Sequence, residues 1–227
     1  MKIVVFSGAG ISAESGISTF RDNGGLWDKF KIEDVATPDA FSKNPELVLE
    51  FYNERRKNIS EVNPNAAHIT ITKLEQKFDV TIITQNIDDL HERAGSKNVL
   101  HLHGCITVAK SSKIDGHYKY IAYDDIKIGD LAEDYSQLRP HVVWFGEEVP
   151  ELENAAAIIQ QADIMITVGS SLNVYPAAGL IHASKTDCQH FVIDPNVEEL
   201  KLPENFTLIK KNAGEGMSDL VQRLTLG

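Results

Sequence analysis

A chain of 227 residues, 42% of them hydrophobic, is long enough for one large domain or a domain with a small companion, with a real core in either case. A formal net charge of −11 argues against general nucleic-acid binding, which needs a basic surface to neutralise phosphates; it suits solubility first, and attraction of basic, lysine-bearing peptides second. Two cysteines, Cys105 and Cys188, make neither a disulfide framework nor a four-cysteine zinc site, and the absence of any run of about 18 apolar residues excludes a transmembrane helix.

Ile3-Val-Val-Phe6 predicts a strand close to the N-terminus. Gly8 interrupts that run too early for a signal peptide, which needs an apolar region of about 7–15 residues, so a cytoplasmic, unprocessed protein is expected. Gly8, Gly10 and Ala13 fit the G-x-G-x-x-G/A pattern of a strand-to-helix turn, where backbone N–H groups face a pyrophosphate. Further strands are expected at Val80–Thr84, Val99–Leu102, Ile164–Val168, Phe191–Asp194 and Thr207–Ile209. Helical patterns lie at about Pro45–Glu61, Ala66–Lys77, Leu152–Ala162, Ala177–Ser184 and Gly216–Leu226. The alternation predicts βαβ units and an α/β fold, a Rossmann-like, doubly wound, mainly parallel sheet.

Two stretches interrupt the alternation. One, from about Trp27 to Glu61, holds a turn at Thr37-Pro38 and then a helix. The other, from Cys105 to Leu138, is polar, with turn signals at Ser111-Ser-Lys and Asp115-Gly116, and Tyr118–Tyr123 within it reads as a short, exposed strand. The two insertions are expected to pack together as a small second domain, residues 29–61 and 105–136, beside a Rossmann-like unit of 1–28, 62–104 and 137–227. Ligand clefts favour such junctions and the carboxyl ends of sheet strands.

A dehydrogenase would follow the glycine turn with a second strand and an acidic residue for the ribose, about 20 residues on. Here that span, Phe20 to Trp27, is a loop, so hydride transfer loses ground. Three motifs instead occur in order: Phe6-Ser-Gly-Ala-Gly-Ile-Ser-Ala-Glu-Ser-Gly-Ile-Ser-Thr-Phe-Arg21, Thr84-Gln-Asn-Ile-Asp-Asp-Leu-His91 and His101-Leu-His-Gly104. Together they resemble the sirtuins, the NAD-dependent protein lysine deacylases.

That resemblance, which spans nearly the entire chain, implies the following roles. Gly8, Ala9 and Gly10 approach the pyrophosphate of NAD, and Phe20 and Arg21 sit on a loop over the nicotinamide side. Gln85 meets the nicotinamide ribose, Asn86 helps position the site and its water, and Asp88 binds the carboxamide. The Gln-Asn-Ile-Asp run alone fits a polar turn capping a helix equally well. Gly169, Ser170 and Ser171, in a second glycine-serine turn, lie near phosphate and ribose. Asp194 stands where many sirtuins carry Asn against the adenosine ribose; an acid there accepts from ribose hydroxyls and repels a 2′-phosphate, favouring NAD over NADP. His103, before Gly104, matches the catalytic histidine, and imidazole suits a general base. The implied reaction starts with attack of the acyl-lysine carbonyl oxygen on C1′ of the nicotinamide ribose, with loss of nicotinamide. His103 then takes a proton from the ribose diol, and the acyl group ends on ADP-ribose.

Arg139-Pro-His-Val-Val-Trp-Phe-Gly-Glu147 matches the family's substrate segment. The backbone from Val143 to Glu147, including Gly146, is expected to pair with an extended peptide by strand addition, with Val142 and Phe145 lining a tunnel for the lysine stem. The same Val-Val-Trp-Phe run also reads as an ordinary buried strand. Tyr52 and Arg55 share a helix face, and the branch that removes succinyl, malonyl and glutaryl groups carries a Tyr-x-x-Arg pair in this region. An arginine fork and a phenol together suit a carboxylate. The small Ala36 leaves room for the acyl end. A surface helix pairing Arg55 and Arg56 with Glu54 or Glu50 is the competing account. Most sirtuins also carry two Cys-x-x-Cys pairs that bind zinc. Cys105 and His117 cannot replace them, so no metal is expected, and Tyr118, Tyr120, Ile121 and Tyr123 are expected to hold the small domain. An NAD hydrolase or ADP-ribosyltransferase and a non-catalytic NAD-binding module remain alternatives to the deacylase.

Overall fold

The computed structural model describes residues 1–18, 30–200 and 202–226. Six parallel strands form the main sheet: β1 (Lys2–Ser7), β2 (Asp79–Thr84), β3 (Val99–His101), β7 (Ile164–Val168), β8 (Gln189–Ile193) and β9 (Thr207–Ile209), in the order β3-β2-β1-β7-β8-β9. β1 is central, with β2 and β3 on one side and β7, β8 and β9 on the other. The strand order therefore reverses between β1 and β7, where an open parallel sheet leaves a crevice at its carboxyl edge.

Strands covered on both faces read as continuous apolar runs, and β1 and β7 do so. The side-chain period of two then splits them between layers. Ile3 and Val5, with Ile82 and Ile166, pack beneath helices α5 (Ala66–Leu74) and α8 (Ala213–Leu226) through Ile71, Leu74, Met217 and Leu220. Val4 and Phe6, with Ile83 and Met165, meet Ala155 and Ile159 of α7 (Leu152–Ile159) and Leu180 of a 3₁₀ helix at Ala177–His182. Each such side chain contributes about 1.5–3 kcal/mol on burial. The expected doubly wound α/β sheet is the one observed.

A second, antiparallel sheet has the order β5-β4-β6, from β4 (Gly104–Ser111), β5 (Tyr118–Tyr120) and β6 (Leu138–Val142). The sequence reading of Cys105–Leu138 as a polar stretch misses β4, because only Ile106 and Ala109 there enter a hydrophobic core. Gly104 is indispensable at the strand's start. Its φ is +77°, and a Cβ would stand 2.1 Å from the His141 carbonyl oxygen.

The helical insertion contains α2 (Ile32–Val35), α3 (Pro38–Lys43) and α4 (Pro45–Glu61). α4 begins where the Asn44 side chain accepts from the Leu47 N–H at 3.1 Å and Pro45 occupies the first turn. Its buried face, Val48, Phe51, Tyr52 and Ile59, shares one core with Val35, Ala36, Ile106, Val142 and Trp144, joining the insertion to the antiparallel sheet. Arg56 is fully buried, donating to Ile106 O at 2.9 Å and Asn53 Oδ1 at 2.7 Å. Asn53 in turn exchanges two hydrogen bonds with the Ile126 backbone, at 2.9 and 3.0 Å. The surface-helix account therefore fails for Arg56.

The tyrosines do not hold the small sheet together. Tyr118 and Tyr120 are 50% and 72% exposed. The local core is Leu49, Ala109, Ile126 and Leu138, with Ile121 at its margin, while Tyr123 packs in the larger neighbouring core. A polar knot closes the distal loops: Ser111 Oγ donates to Asp134 Oδ2 and accepts from the Lys113 and Ile114 N–H groups, while Ser136 Oγ donates to Asp134 Oδ1. Among the described residues, no three His, Cys, Asp or Glu side chains are placed to hold a metal ion, and no helix is long and apolar enough to cross a membrane.

Candidate active site

Two glycine turns meet at the switch point. Gly8 N–H donates to Val168 O at 3.1 Å and Gly10 N–H to Gly169 O at 2.8 Å. A Cβ on Gly8 or Gly10 would lie 2.8 Å from Gly169 O, and one on Gly169, at φ +60°, would lie 2.2 Å from Ile11 N. The glycines thus serve close apposition of the two turns. Their amides are committed to that contact, so the expectation of a row of N–H groups facing a pyrophosphate narrows to Ala9, whose N–H has no partner among the described residues. The following helix, α1 (Gly10–Ala13), is a single turn and adds no extended dipole.

The segment after β2 builds a buried polar network on these turns. Asn86 Nδ2 donates to Gly8 O at 3.2 Å and to Ser12 Oγ at 3.1 Å, and Ser12 Oγ donates to Asp88 Oδ2 at 3.0 Å. Asp88 Oδ1 accepts from Leu90 N–H at 3.2 Å, at the entrance to α6 (Leu90–Ala94). Burial pushes the Asp88 carboxyl above its ordinary value, against the pull of those donors and of His101 and Arg55. Gln85 Nε2 donates to Ser170 Oγ at 3.0 Å, tying the segment to the β7 turn. Ser12, within the first motif, is a site residue that the sequence reading does not single out. Its signal was its place two residues after Gly10, but its bridging position depends on the fold.

His103 Nδ1 lies 2.9 Å from Gln85 O. A carbonyl only accepts, so Nδ1 carries the proton and Nε2 is left with its lone pair. Nε2 has no partner among the described residues. Burial holds this imidazole below its ordinary pKa, partly opposed by Gln85 O, so it is neutral at pH 7. Ser171 is half-buried beside Ser170, and Asp194, just past β8, accepts from Asn196 N–H at 2.8 Å. Phe20 and Arg21 lie outside the described residues.

On the other side of the site, Tyr52 is buried against Trp144, with ring centroids 6.4 Å apart. Burial raises its phenol to about 12, so it stays neutral and can donate. Arg55 is half-buried; burial lowers its pKa, while the nearby Tyr52 and Asp88 favour its charge. Ala36 is buried in the same core as Tyr52 and Val142.

The segment proposed for strand addition is a turn. Val143 N–H donates to His103 O at 2.9 Å, Phe145 N–H to Ala36 O at 3.0 Å, Glu147 N–H to Trp144 O at 3.0 Å and Trp144 N–H to Glu147 Oε2 at 2.8 Å. These amides are therefore already used, and only Gly146, at φ +91°, keeps an N–H without a partner among the described residues. Glu147 also grips Arg139 with both oxygens, at 2.6 and 3.0 Å, and that guanidinium stacks 3.3 Å over Trp144. Its carboxylate holds the turn from within. Phe145 is about half exposed, whereas Val142 is in the core.

The Sir2 family pattern matches residues 8–176. The chain belongs to the Sir2 family. A Bacteroides thetaiotaomicron protein named NAD-dependent protein deacylase is 49% identical over 227 residues, covering 98% of this chain and 97% of that protein. A Helicobacter pylori protein of the same name is 50% identical over 222 residues, with 98% and 94% covered. A solved Sir2 homologue in complex with NAD superposes with a TM-score of 0.89 at 38% identity, covering 99% of this chain and 90% of that one. A Sir2 protein with a deacetylated peptide and an acetyl ADP-ribose gives 0.78 at 31%, with 97% and 92% covered. The Sir2 match takes in both glycine turns, the Gln85–Asp88 segment, His103 and the Arg139–Glu147 turn.

Proposed function

We propose that this Sir2 protein is an NAD-dependent protein-lysine deacylase that favours acyl groups ending in a carboxylate. The observation that carries the enzyme reading is the state of His103: a neutral ring, its Nδ1–H held by Gln85 O and its Nε2 lone pair open, in one network with Asn86, Asp88 and Ser170. Names and complexes of close relatives point the same way.

The residues present fit NAD. Ala9 N–H is an available donor at the switch point, Asp194 lies just past the end of β8, and Asp88 is a buried carboxyl with spare acceptor capacity beside the crevice. NAD, when bound, supplies the ribose carbon that the acyl oxygen attacks and the hydroxyl that finally carries the acyl group. The protein holds and orients. Gln85 fixes the base tautomer through its carbonyl, Asp88 and Asn86 hold the nicotinamide side, and His103 Nε2 receives the ribose hydroxyl proton. Such positioning supplies much of the acceleration in a two-substrate reaction.

For the acyl end, Tyr52 offers a neutral O–H and Arg55 a cation, in a wall shared with Ala36 and Val142. Losing a buried charged partner costs roughly 2–5 kcal/mol, which is a preference of about 30- to 4000-fold. The test is steady-state turnover of one peptide carrying acetyl-, succinyl- or malonyl-lysine, by wild type and Arg55→Met. Loss confined to succinyl and malonyl supports the clamp. Preference for acetyl with an unchanged variant makes this a general deacetylase and removes the clamp.

A further inference from the structure

His101 differs from His103 in having an acceptor at each ring nitrogen. Nδ1 lies 3.0 Å from Asn86 O and Nε2 lies 2.8 Å from Glu92 Oε1 on α6. A neutral imidazole has one N–H and can satisfy only one of them; the imidazolium satisfies both. The ring is largely buried, with 12% of its side chain exposed, while the Glu92 carboxylate is 41% exposed, so the pair sits at the edge of the site with its imidazole inside and its acid reached by water.

We propose that the His101–Glu92 pair is a positioning device: a charged imidazole, clamped by Glu92, that pins the Asn86 carbonyl and thereby sets the Asn86 and Asp88 side chains on the NAD side. The inference rests on the deacylase reading of the site. The path is short. Asn86 O takes one His101 N–H, the Asn86 amide holds Gly8 and Ser12, and Ser12 holds Asp88. His101 touches neither substrate nor cofactor in this account.

The groups facing the pair come from four elements. Glu92 and Asp88 favour the cation; His91 on α6 and His141 on β6 face His101, and His68 on α5 faces Glu92. Cys105 on β4 and Asp89 lie near the same carboxylate cluster. Burial keeps His68, His91 and His141 below their ordinary pKa values, hence neutral at pH 7. Burial also opposes charge on His101, but Glu92, Asn86 O and Asp88 outweigh it and hold its pKa above 6.5. The pair is thus intact below that raised pKa and is lost as pH rises through it.

The test combines two readouts on the full chain. Histidine ring ¹⁵N shifts report protonation directly: His101 in the wild type is expected to carry protons on both nitrogens at pH 7, and in Glu92→Gln on one. Kinetically, Glu92→Gln is expected to raise KM for NAD about tenfold at pH 7, the equivalent of one charge-assisted hydrogen bond, with a smaller effect on kcat. It also moves the alkaline fall of kcat/KM for NAD to lower pH, and Glu92→Asp restores part of both. A singly protonated His101 in the wild type at pH 7, or a Glu92→Gln enzyme with wild-type KM across the pH range, overturns the proposal. If the wild type instead shows no turnover, the deacylase reading fails. The ring shifts, with NAD titration of wild type and variant, then still decide whether the pair exists and governs binding.

Discussion

Glu147 separates two accounts of the Arg139–Glu147 turn. Resemblance makes it part of the peptide-binding surface, whereas the structure turns its carboxylate inward. Glu147→Ala removes both partners of the Arg139 fork and the acceptor for Trp144 N–H. Arg139 keeps its bond to Val142 O at 2.7 Å and its stack on Trp144, but its charge is then uncompensated in a side chain only 6% exposed. Breaking a buried pair by deleting one partner costs about 3–5 kcal/mol. Glu147 is 23% exposed, so water can reach part of the gap, and the expected loss is about 3 kcal/mol. For a chain of this size that is a fall in Tm of about 6–12 °C, with a lower urea midpoint at unchanged slope. Arg139→Met combined with Glu147→Leu removes both charges and recovers most of the loss. The pH dependence has a definite sign. Burial raises the Glu147 carboxyl, but Arg139 and the Trp144 N–H outweigh it and leave it below its ordinary 4.5. The contribution is therefore present above that value and disappears as pH falls through the folded-state pKa, where wild type and Glu147→Ala converge. An unchanged Tm with a raised peptide KM would refute the internal role and restore Glu147 to the substrate surface.

His103→Ala is expected to lower deacylation by about 10²–10⁴-fold with the melting temperature little changed, and normal turnover by the folded variant would sink the base assignment. Because burial holds that imidazole low, the acid limb of kcat/KM belongs below pH 6.5, and a limb above 7 in the wild type contradicts it. Gly169→Ala places a Cβ 2.2 Å from Ile11 N in a left-handed backbone; beyond about 1–2 kcal/mol for the conformation, the two turns must separate, so both urea stability and NAD affinity fall. Wild-type NAD affinity in that variant would show that the apposition is not required. Asn53→Ala removes both bonds to the Ile126 backbone and one of the two that hold Arg56, which keeps Ile106 O, and denaturation is expected to show a loss of about 3 kcal/mol; a change under 1 kcal/mol would mean water replaces the amide.

Periodicity carried the parallel sheet because its central strands, β1 and β7, are nearly continuous apolar runs and the flanking strands keep short β-branched or apolar cores. It carried α4 because Asn44-Pro45 marks the start and Val62 onward breaks the pattern. It failed for β4 and β6. Those strands pack against an insertion folded from a remote segment: Ser111 of β4 donates to Asp134, the Ile106 carbonyl of β4 accepts from Arg56, and Arg139 of β6 is held by Glu147, contacts that no local pattern encodes. The Tyr118–Tyr123 run does contain the expected short, exposed strand, Tyr118–Tyr120, but Tyr118 and Tyr120, 50% and 72% exposed, do not hold the small sheet, whose core is Leu49, Ala109, Ile126 and Leu138. In the candidate site, the first glycine turn was legible from spacing, whereas His103 was singled out only through the resemblance. The uses of Ser12, His101 and Glu147 were not legible, since each depends on a partner brought in by the fold.

The Gln85–Asp88 segment explains why one site can hold two histidines in different states. Consecutive carbonyls, Gln85 O and Asn86 O, each receive an N–H from an imidazole, His103 and His101. The backbone contact is the same for both and fixes which nitrogen is protonated. The second nitrogen decides the charge. Glu92 lies 2.8 Å from His101 Nε2, whereas no carboxylate is placed against His103 Nε2 among the described residues, so burial dominates there and the lone pair survives. Placing the acid on the neighbour resolves a conflict between two requirements. On the proposed function, the loop placed beside NAD is anchored by the His101–Glu92 pair. On the same reading His103 works as a neutral base, and a carboxylate against its own ring would raise its pKa and oppose that state.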